Sequence, residues 1–114
     1  MKTKGRDEIL GKLKDRPGRT LLIDVRDRED YEAEHIRGAL SIPITELTMR
    51  AAKSFDKDRE IIVYCQAFDC PLSAQAAKVL DRMGFTDVVD YEGGLNDWKE
   101  AGYPTESRES AKAA

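Results

Sequence analysis

The sequence has few of the residues that build metal sites and disulfide frameworks. Its 114 residues include one histidine, His35, and two cysteines, Cys65 and Cys70. A zinc site with four protein ligands would have to recruit carboxylates, because no CxxC pair is present. Two cysteines are also too few for a disulfide framework, so we expect free thiols in a reducing cytosol. The sequence therefore predicts no bound metal and no stabilising disulfide.

The chain also lacks a large excess of either charge and any long apolar run. Its 19 Lys and Arg residues nearly balance 22 Asp and Glu residues, for a net charge of −3. This balance argues against binding to nucleic acid or to an anionic membrane surface, since both need clustered positive charge. The apolar runs fall far short of the roughly 20 residues that span a bilayer. No apolar stretch of signal-peptide length follows the basic N-terminus, so we expect a cytoplasmic location.

The composition is that of one small globular domain. With 40% hydrophobic and 36% charged residues, a chain of this length buries roughly two-thirds of its unfolded surface and needs no staple. Residues 105–114 contain no large apolar side chain, and we expect them to form a flexible C-terminal tail.

Short apolar runs alternate with helical patterns along the chain. Near-continuous aliphatic runs at residues 20–25 and 60–65 predict strands that are buried on both faces. Shorter strands are predicted at 87–91 and 39–42, and helices at 7–16, 28–35, 45–54, 72–83 and 95–101. Strands separated by helices favour an α/β fold with a parallel sheet and helices on both faces. In such sheets the functional crevice lies at the carboxyl ends of the strands, here just after Val25 and Tyr64.

Cys65 follows the second buried run directly, and the next helix is predicted to start at Pro71. The loop between them must curl, so that its backbone N–H groups converge with those of the helix on a concavity that suits an anion. A thiol in this concavity would have a lowered pKa and be a better nucleophile. The alternative is that Cys65 is a small core residue, as buried cysteines usually are.

Several segments together resemble the signatures of rhodanese-like sulfurtransferase domains. They are LIDVR at 22–26, YEAEHIRGALSIP at 31–43, IVYC at 62–65, GF at 84–85, YEGGLNDW at 91–98 and AGYP at 101–104. They occur in the family's order and cover about residues 5–104, which we take as the domain. The resemblance implies a three-layer α/β fold with a mostly parallel sheet of about five strands and helices on both faces.

The resemblance also implies a reaction. In this family the active-site cysteine, which corresponds to Cys65, accepts a sulfane sulfur as a persulfide and passes it to a thiophilic acceptor. The implied donor is thiosulfate or another persulfide, and the acceptor is a thiol or a protein. No metal or organic cofactor is needed, and no oligomeric state is implied.

The active-site loop implied by the resemblance comprises Gln66, Ala67, Phe68, Asp69, Cys70, Pro71, Leu72 and Ser73. Family members of the common type carry an arginine near the end of this loop, but here Leu72 stands in its place. No Lys or Arg occurs between Cys65 and Lys78, and Asp69 adds a negative charge. An anionic donor would lose a charge-assisted contact and meet repulsion. A rhodanese-like binding or regulatory module with weak or no catalysis is therefore the alternative function.

Four further residues have two interpretations each. Some family members have a second cysteine in this loop, which corresponds to Cys70 here. We expect Cys70 at the N-cap of the next helix, where the helix dipole lowers the pKa of a thiol. It is either a resolving thiol for Cys65 or a capping residue without a redox role. Asp24 and Arg26 either form an internal ion pair or support the loop, with Asp24 shaping it from below. For His35 we expect a structural hydrogen bond rather than general-base catalysis.

Overall fold

The computed structural model describes residues 2–15 and 18–108. In these residues the helices are α1 (Arg6–Asp15), α2 (Arg28–Ala33), α3 (Ile44–Ser54), α4 (Leu72–Arg82) and α5 (Gly94–Glu100). The strands are β1 (Lys2–Thr3), β2 (Thr20–Asp24), β3 (His35–Ile36), β4 (Leu40–Ser41), β5 (Glu60–Tyr64), β6 (Asp87–Tyr91) and β7 (Thr105–Glu106).

Five of the strands form a central sheet in the order β1-β6-β5-β2-β4, in which all neighbours are parallel. The two remaining strands, β3 and β7, form a small antiparallel pair. The predicted α/β class with a parallel sheet of about five strands is therefore confirmed.

Each face of the sheet is covered by helices. Because side chains alternate along a strand, each buried strand contributes apolar side chains to both faces. On β5, Ile61 and Val63 face one core, together with Cys65 and the apolar sides of α3 and α4. Ile62 and Tyr64 face the other core, which α1 and α5 close. Two apolar faces explain why the run at 60–65 reads as nearly continuous aliphatic sequence.

The predicted elements are present close to their expected bounds, and three two-residue strands were not predicted. One of them, β7, corrects the expectation for the tail: Thr105 and Glu106 pair with Ile36 and His35, so ordered structure extends past residue 104. Residues 109–114 of the expected tail lie outside the described residues. The same pairing ends α2 earlier than predicted, since His35 joins a strand instead of the helix.

Within the described residues, no helix has the length and apolar character needed to cross a membrane.

Candidate functional site

The carboxyl ends of β2, β5 and β6 lie side by side at one edge of the sheet. The register pairs Asp24 with Tyr64, and Tyr64 with Tyr91. Cys65 follows β5 at this edge, and the cysteine loop, residues 66–71, leads from it into α4. The loop turns back on itself, with the Cys70 N–H donating to the Ala67 carbonyl over 3.0 Å.

The start of α5 packs on the cysteine loop from the opposite side. The backbone N–H of Leu95 donates to the Cys65 carbonyl over 3.0 Å, and that of Asn96 to the Gln66 carbonyl over 2.9 Å. The Gln66 side-chain amide also donates to Asn96 Oδ1 over 2.7 Å. These contacts were not predicted, and their one signal in the sequence is the pair Gly93-Gly94, since Gly94 adopts a φ of +65° where α5 approaches the loop.

Asp24 and Arg26 form a buried ion pair below the loop. Arg26 Nη2 lies 2.8 Å from Asp24 Oδ2, and the two side chains are 6% and 0% exposed. Arg26 Nη1 also donates to Gln66 Oε1 over 2.7 Å, and Nη2 to the Glu34 carbonyl over 2.7 Å. The first of the two interpretations, an internal ion pair, is thus present, and Arg26 is the member of the pair that also contacts the cysteine loop.

His35 lies away from the cysteine loop. Its Nδ1–H donates to the Tyr31 carbonyl over 2.7 Å, and its ring stacks on the Tyr31 ring with centroids 3.7 Å apart. Its backbone belongs to β3. The expected structural hydrogen bond is therefore present.

The two cysteines lie together as free thiols, Cys65 fully buried and Cys70 half-buried. The Cys65 thiol donates to the Cys70 carbonyl oxygen, with Sγ 3.4 Å from that oxygen. Ser73 is buried in the first turn of α4, and its hydroxyl and backbone N–H lower the pKa of the Cys65 thiol. Of the residues predicted for the site, Cys70 and Ser73 therefore lie next to the Cys65 thiol.

The ionisation of the pair differs from the expectation. Burial and the hydrogen bond with Cys70 raise the pKa of Cys65, against a lowering by Ser73. For Cys70, burial alone would raise the pKa, but hydrogen bonds from Cys65 and from the backbone N–H groups of Gln66 and Leu72 lower it overall. The expected low pKa of Cys65 is therefore wrong, because burial of the thiol raises the pKa by more than Ser73 lowers it.

The position of Cys70 also needs a correction. The N-cap of α4 is Pro71, so Cys70 lies one residue before the cap. Its pKa is lowered by hydrogen bonds from nearby groups and not through a capping role. Asp69 acts in the opposite direction, since its charge raises the pKa of Cys70.

The geometry fits the family that the sequence resembles, and the sequence profile of the rhodanese-like domain matches residues 7–101. The chain belongs to the rhodanese-like domain family. This rhodanese-like domain is 35% identical to the rhodanese-like domain of the Alr3790 protein from Anabaena sp., whose solution NMR structure superposes with a TM-score of 0.85. The match covers 100% of this chain and 86% of that one, and it confirms the predicted fold.

Relatives of this chain include an enzyme and a transcriptional regulator. The rhodanese-like domain is 43% identical over 76 residues to the thiosulfate sulfurtransferase PspE of Escherichia coli, covering 66% of this chain and 70% of that protein. It is 37% identical over 89 residues to the HTH-type transcriptional regulator Rv0324 of Mycobacterium tuberculosis. That match covers 78% of this chain but 38% of the regulator. The chain is thus similar to most of a thiosulfate sulfurtransferase and to a segment of a transcriptional regulator.

Proposed function

We propose that this rhodanese-like domain is a sulfurtransferase that carries sulfane sulfur as a persulfide on Cys65. The observation that carries the proposal is the placement of Cys65 directly after the carboxyl end of β5, where the Leu95 N–H donates to the Cys65 carbonyl. The similarity to a thiosulfate sulfurtransferase supports it. The domain is taken as residues 5–104, and a cytoplasmic location is part of the same proposal.

The reaction has two steps. The Cys65 thiolate attacks the sulfane sulfur of a donor such as thiosulfate, forming an S–S bond while the bond from that sulfur to sulfite breaks. An acceptor thiolate then attacks the outer sulfur, and the Cys65 thiolate leaves. Two-electron displacement accounts for both steps, so no metal or organic cofactor is required.

The residues around Cys65 have separate roles in this scheme. Ser73 lowers the pKa of the Cys65 thiol and so stabilises its anionic form. Arg26 and Asn96 hold Gln66, and Leu95 holds the Cys65 carbonyl. These contacts keep the base of the cysteine loop rigid, which preorganises the nucleophile.

In this proposal the sulfur donor approaches Cys65 from the solvent-exposed side of the cysteine loop. Cys65 is fully buried, whereas Phe68 on the loop is 70% exposed. The loop contains no cation and carries the exposed Asp69, so a neutral or thiol-bound persulfide should be a better donor than thiosulfate. The acceptor is a thiol of a small molecule or of a protein.

The proposal is tested by intact-mass measurement after incubation with thiosulfate and, separately, with glutathione persulfide. We expect the wild type to gain the mass of one sulfur atom, with the persulfide as the faster donor. Cys65→Ser should abolish the gain, and Cys70→Ser should retain it. If Cys65→Ser keeps the adduct and Cys70→Ser loses it, the sulfur-carrying thiol is Cys70 and the assignment is wrong.

The second candidate function is a rhodanese-like binding or regulatory module. It is favoured by the loop without a cation and by the similarity of a segment of a transcriptional regulator to this chain. A wild type that gains no sulfur from either donor, while remaining folded, would support this function over catalysis.

A further inference from the structure

The tip of the cysteine loop carries an exposed aromatic side chain. The Cys70 N–H donates to the Ala67 carbonyl over 3.0 Å, which closes a turn with Phe68 and Asp69 at its two central positions. Gly, Pro, Asn, Asp and Ser dominate such positions, so Asp69 fits the turn and Phe68 does not. Phe68 is 70% exposed, the largest fraction among the big hydrophobic side chains that the structure describes. The fold itself therefore gains little from this ring.

A cavity of about 300 Å³ opens beside Phe68 at the carboxyl edge of the sheet. Its walls come from the segment after β1, the first turn of α1, the end of β6 and the start of α5, together with the cysteine loop. Among its lining residues are Lys4, Glu8, Phe68, Glu92, Gly93 and Asp97. Gly93 precedes Gly94, which packs against the backbone of Cys65. The cavity therefore lies next to the candidate nucleophile.

The charged groups around this cavity are mostly acidic and only partly neutralised. Four of them pair with each other: Lys4 with Glu8 at 3.7 Å, and Arg6 with Asp97 at 3.2 Å. Glu92 and Asp69 are exposed, and among the described residues neither forms an ion pair. Two carboxylates without a counter-ion thus lie on either side of the exposed ring, and the local field attracts a cation.

Together these features select the chemistry of a partner. An exposed aromatic ring beside a concavity accepts a large apolar side chain, as the central contacts of protein interfaces do. The unpaired carboxylates accept Lys or Arg and repel anions. A small thiol would fill little of the cavity and leave Phe68 in water. A protein segment can present a thiol, an apolar side chain and a cation at the same time.

We propose that Phe68, Asp69, Glu92 and the adjoining cavity form an acceptor-docking face for a protein whose reactive cysteine is flanked by basic residues and a large apolar residue. The apolar side chain packs on Phe68 in the cavity, and the basic side chains pair with the two carboxylates. The partner's thiolate is thereby held at the cysteine loop, where it attacks the outer sulfur of the Cys65 persulfide and the Cys65 thiolate leaves. This inference deepens the proposed sulfur transfer and rests on it for the partner's role as acceptor.

Binding is measured first and without sulfur transfer. The probe is a fluorescein-labelled peptide in which serine replaces the cysteine between leucine and lysine residues, and fluorescence anisotropy gives its Kd for the full chain. Two control peptides carry glutamate in place of lysine, or alanine in place of leucine. We expect the basic, apolar peptide to bind about tenfold more tightly than either control. The preference for lysine over glutamate should shrink as the ionic strength rises.

Variants of the docking face assign this binding to its residues. Phe68→Ala should weaken binding of the basic, apolar peptide about five- to tenfold, because it removes the central aromatic contact. Glu92→Gln should weaken it about two- to fivefold at low ionic strength and much less at high ionic strength. The matched controls are Met49→Ala, which truncates a side chain that is 66% exposed on α3, and Glu100→Gln at the exposed end of α5. Both should leave the Kd unchanged.

Sulfur transfer from the loaded protein is then compared for the cysteine form of the peptide and for cysteamine, a small cationic thiol. Phe68→Ala should lower kcat/KM for the peptide about five- to tenfold more than for cysteamine. An equal loss for both acceptors would make Phe68 part of the reaction with any thiol and overturns the docking of a protein. A basic peptide that binds no better than its glutamate control, or a Phe68→Ala variant with wild-type affinity, also overturns it. If the protein takes up no sulfur but binds the peptide through Phe68, sulfur transfer is refuted and the docking face stands.

Discussion

Gly94 packs directly against the backbone of Cys65. A Cβ atom at residue 94 would lie 2.5 Å from the Cys65 carbonyl oxygen, the same oxygen that accepts a hydrogen bond from the Leu95 N–H over 3.0 Å. Gly94 also adopts a φ of +65°. The start of α5 therefore fixes the backbone of the proposed nucleophile, and both the space and the backbone conformation require glycine.

Gly94→Ala should weaken both the fold and the site. The clash is with backbone atoms, so the cysteine loop must move, and we expect a loss of roughly 2–4 kcal/mol in the free energy of unfolding together with slower persulfide formation. Urea unfolding and single-turnover sulfur transfer measure the two effects. Gly102→Ala is the matched control, since Gly102 has a φ of +78° but no atom within 4 Å of an added Cβ. Equal losses in both variants would show that backbone conformation, and not the contact with Cys65, is responsible.

Arg26→Met should destabilise the protein far more than the removal of an exposed arginine. Asp24 is 0% exposed, and without its partner it would be a buried, unpaired charge, which costs about 3–5 kcal/mol. Arg28→Met breaks the exposed pair with Glu46 and should cost at most about 1 kcal/mol. Urea midpoints of the two variants decide the matter, and similar midpoints would contradict the buried pair's importance.

The sheet and the position of Cys65 could be predicted from sequence because each depends on a local pattern. A run such as 60–65, apolar on every residue that faces either core, has few structural alternatives. The short strands β1, β3 and β7 have two residues each and leave no periodicity to detect. Their pairing depends on contacts between residues that are distant in the chain, such as His35 with Glu106.

The electrostatics of the site could not be predicted for a similar reason. Sequence places Cys65 at the end of a strand, but not the direction of each loop N–H group. In the folded chain the N–H groups of Gln66 and Leu72 lower the pKa of Cys70, whereas burial raises the pKa of Cys65, for which the sequence predicts a lowered value. The sequence gives Asp90 no feature that distinguishes it from its neighbours in the strand, and only the register shows that it shares a layer with Cys65.

Glu34 should make the protein sensitive to acid. Hydrogen bonds from Lys99 and, to a smaller extent, from Thr105 hold the pKa of Glu34 below its usual value. Glu34 therefore adds to the free energy of unfolding at pH values above its unfolded-state pKa. This contribution is lost as the pH falls through the folded-state value. Glu34→Gln should therefore lower the free energy of unfolding at neutral pH and flatten its decline on acidification. Urea unfolding across this range tests it, and an unchanged acid profile would exclude a role for Glu34.

Asp69→Asn should improve thiosulfate as a donor. Removing an exposed negative charge from the cysteine loop lowers the repulsion of the dianion, and we expect kcat/KM to rise about two- to fivefold at low ionic strength. Leu72→Arg adds a cation and should raise it by about tenfold or more where the geometry permits one charged hydrogen bond. Asp58→Asn, an exposed carboxylate outside the loop, is the control. No gain from either loop variant would mean that thiosulfate does not approach through this loop.

Mild hydrogen peroxide should join Cys65 and Cys70 in an intramolecular disulfide. Cys70 is the more exposed thiol, and hydrogen bonds lower its pKa, so its thiolate is oxidised first to a sulfenic acid. The Cys65 thiol then attacks that sulfur, and water leaves. We therefore expect Cys70 to be oxidised first and Cys65 to act as the resolving thiol, which is the reverse of the roles that the sequence offers.

Each single variant gives a different product under this order of events. Cys65→Ser should leave Cys70 without a resolving thiol and let it proceed to sulfinic acid, whereas Cys70→Ser should react slowly because the remaining thiol is buried and has a raised pKa. Peptide mass mapping after timed exposure distinguishes the products. Rapid overoxidation of Cys65 in Cys70→Ser would show that Cys65 is oxidised first. A wild type that forms no disulfide would show that Cys70 has no redox role. The disulfide would block sulfur transfer until reduced, because it occupies the Cys65 sulfur that the donor must reach.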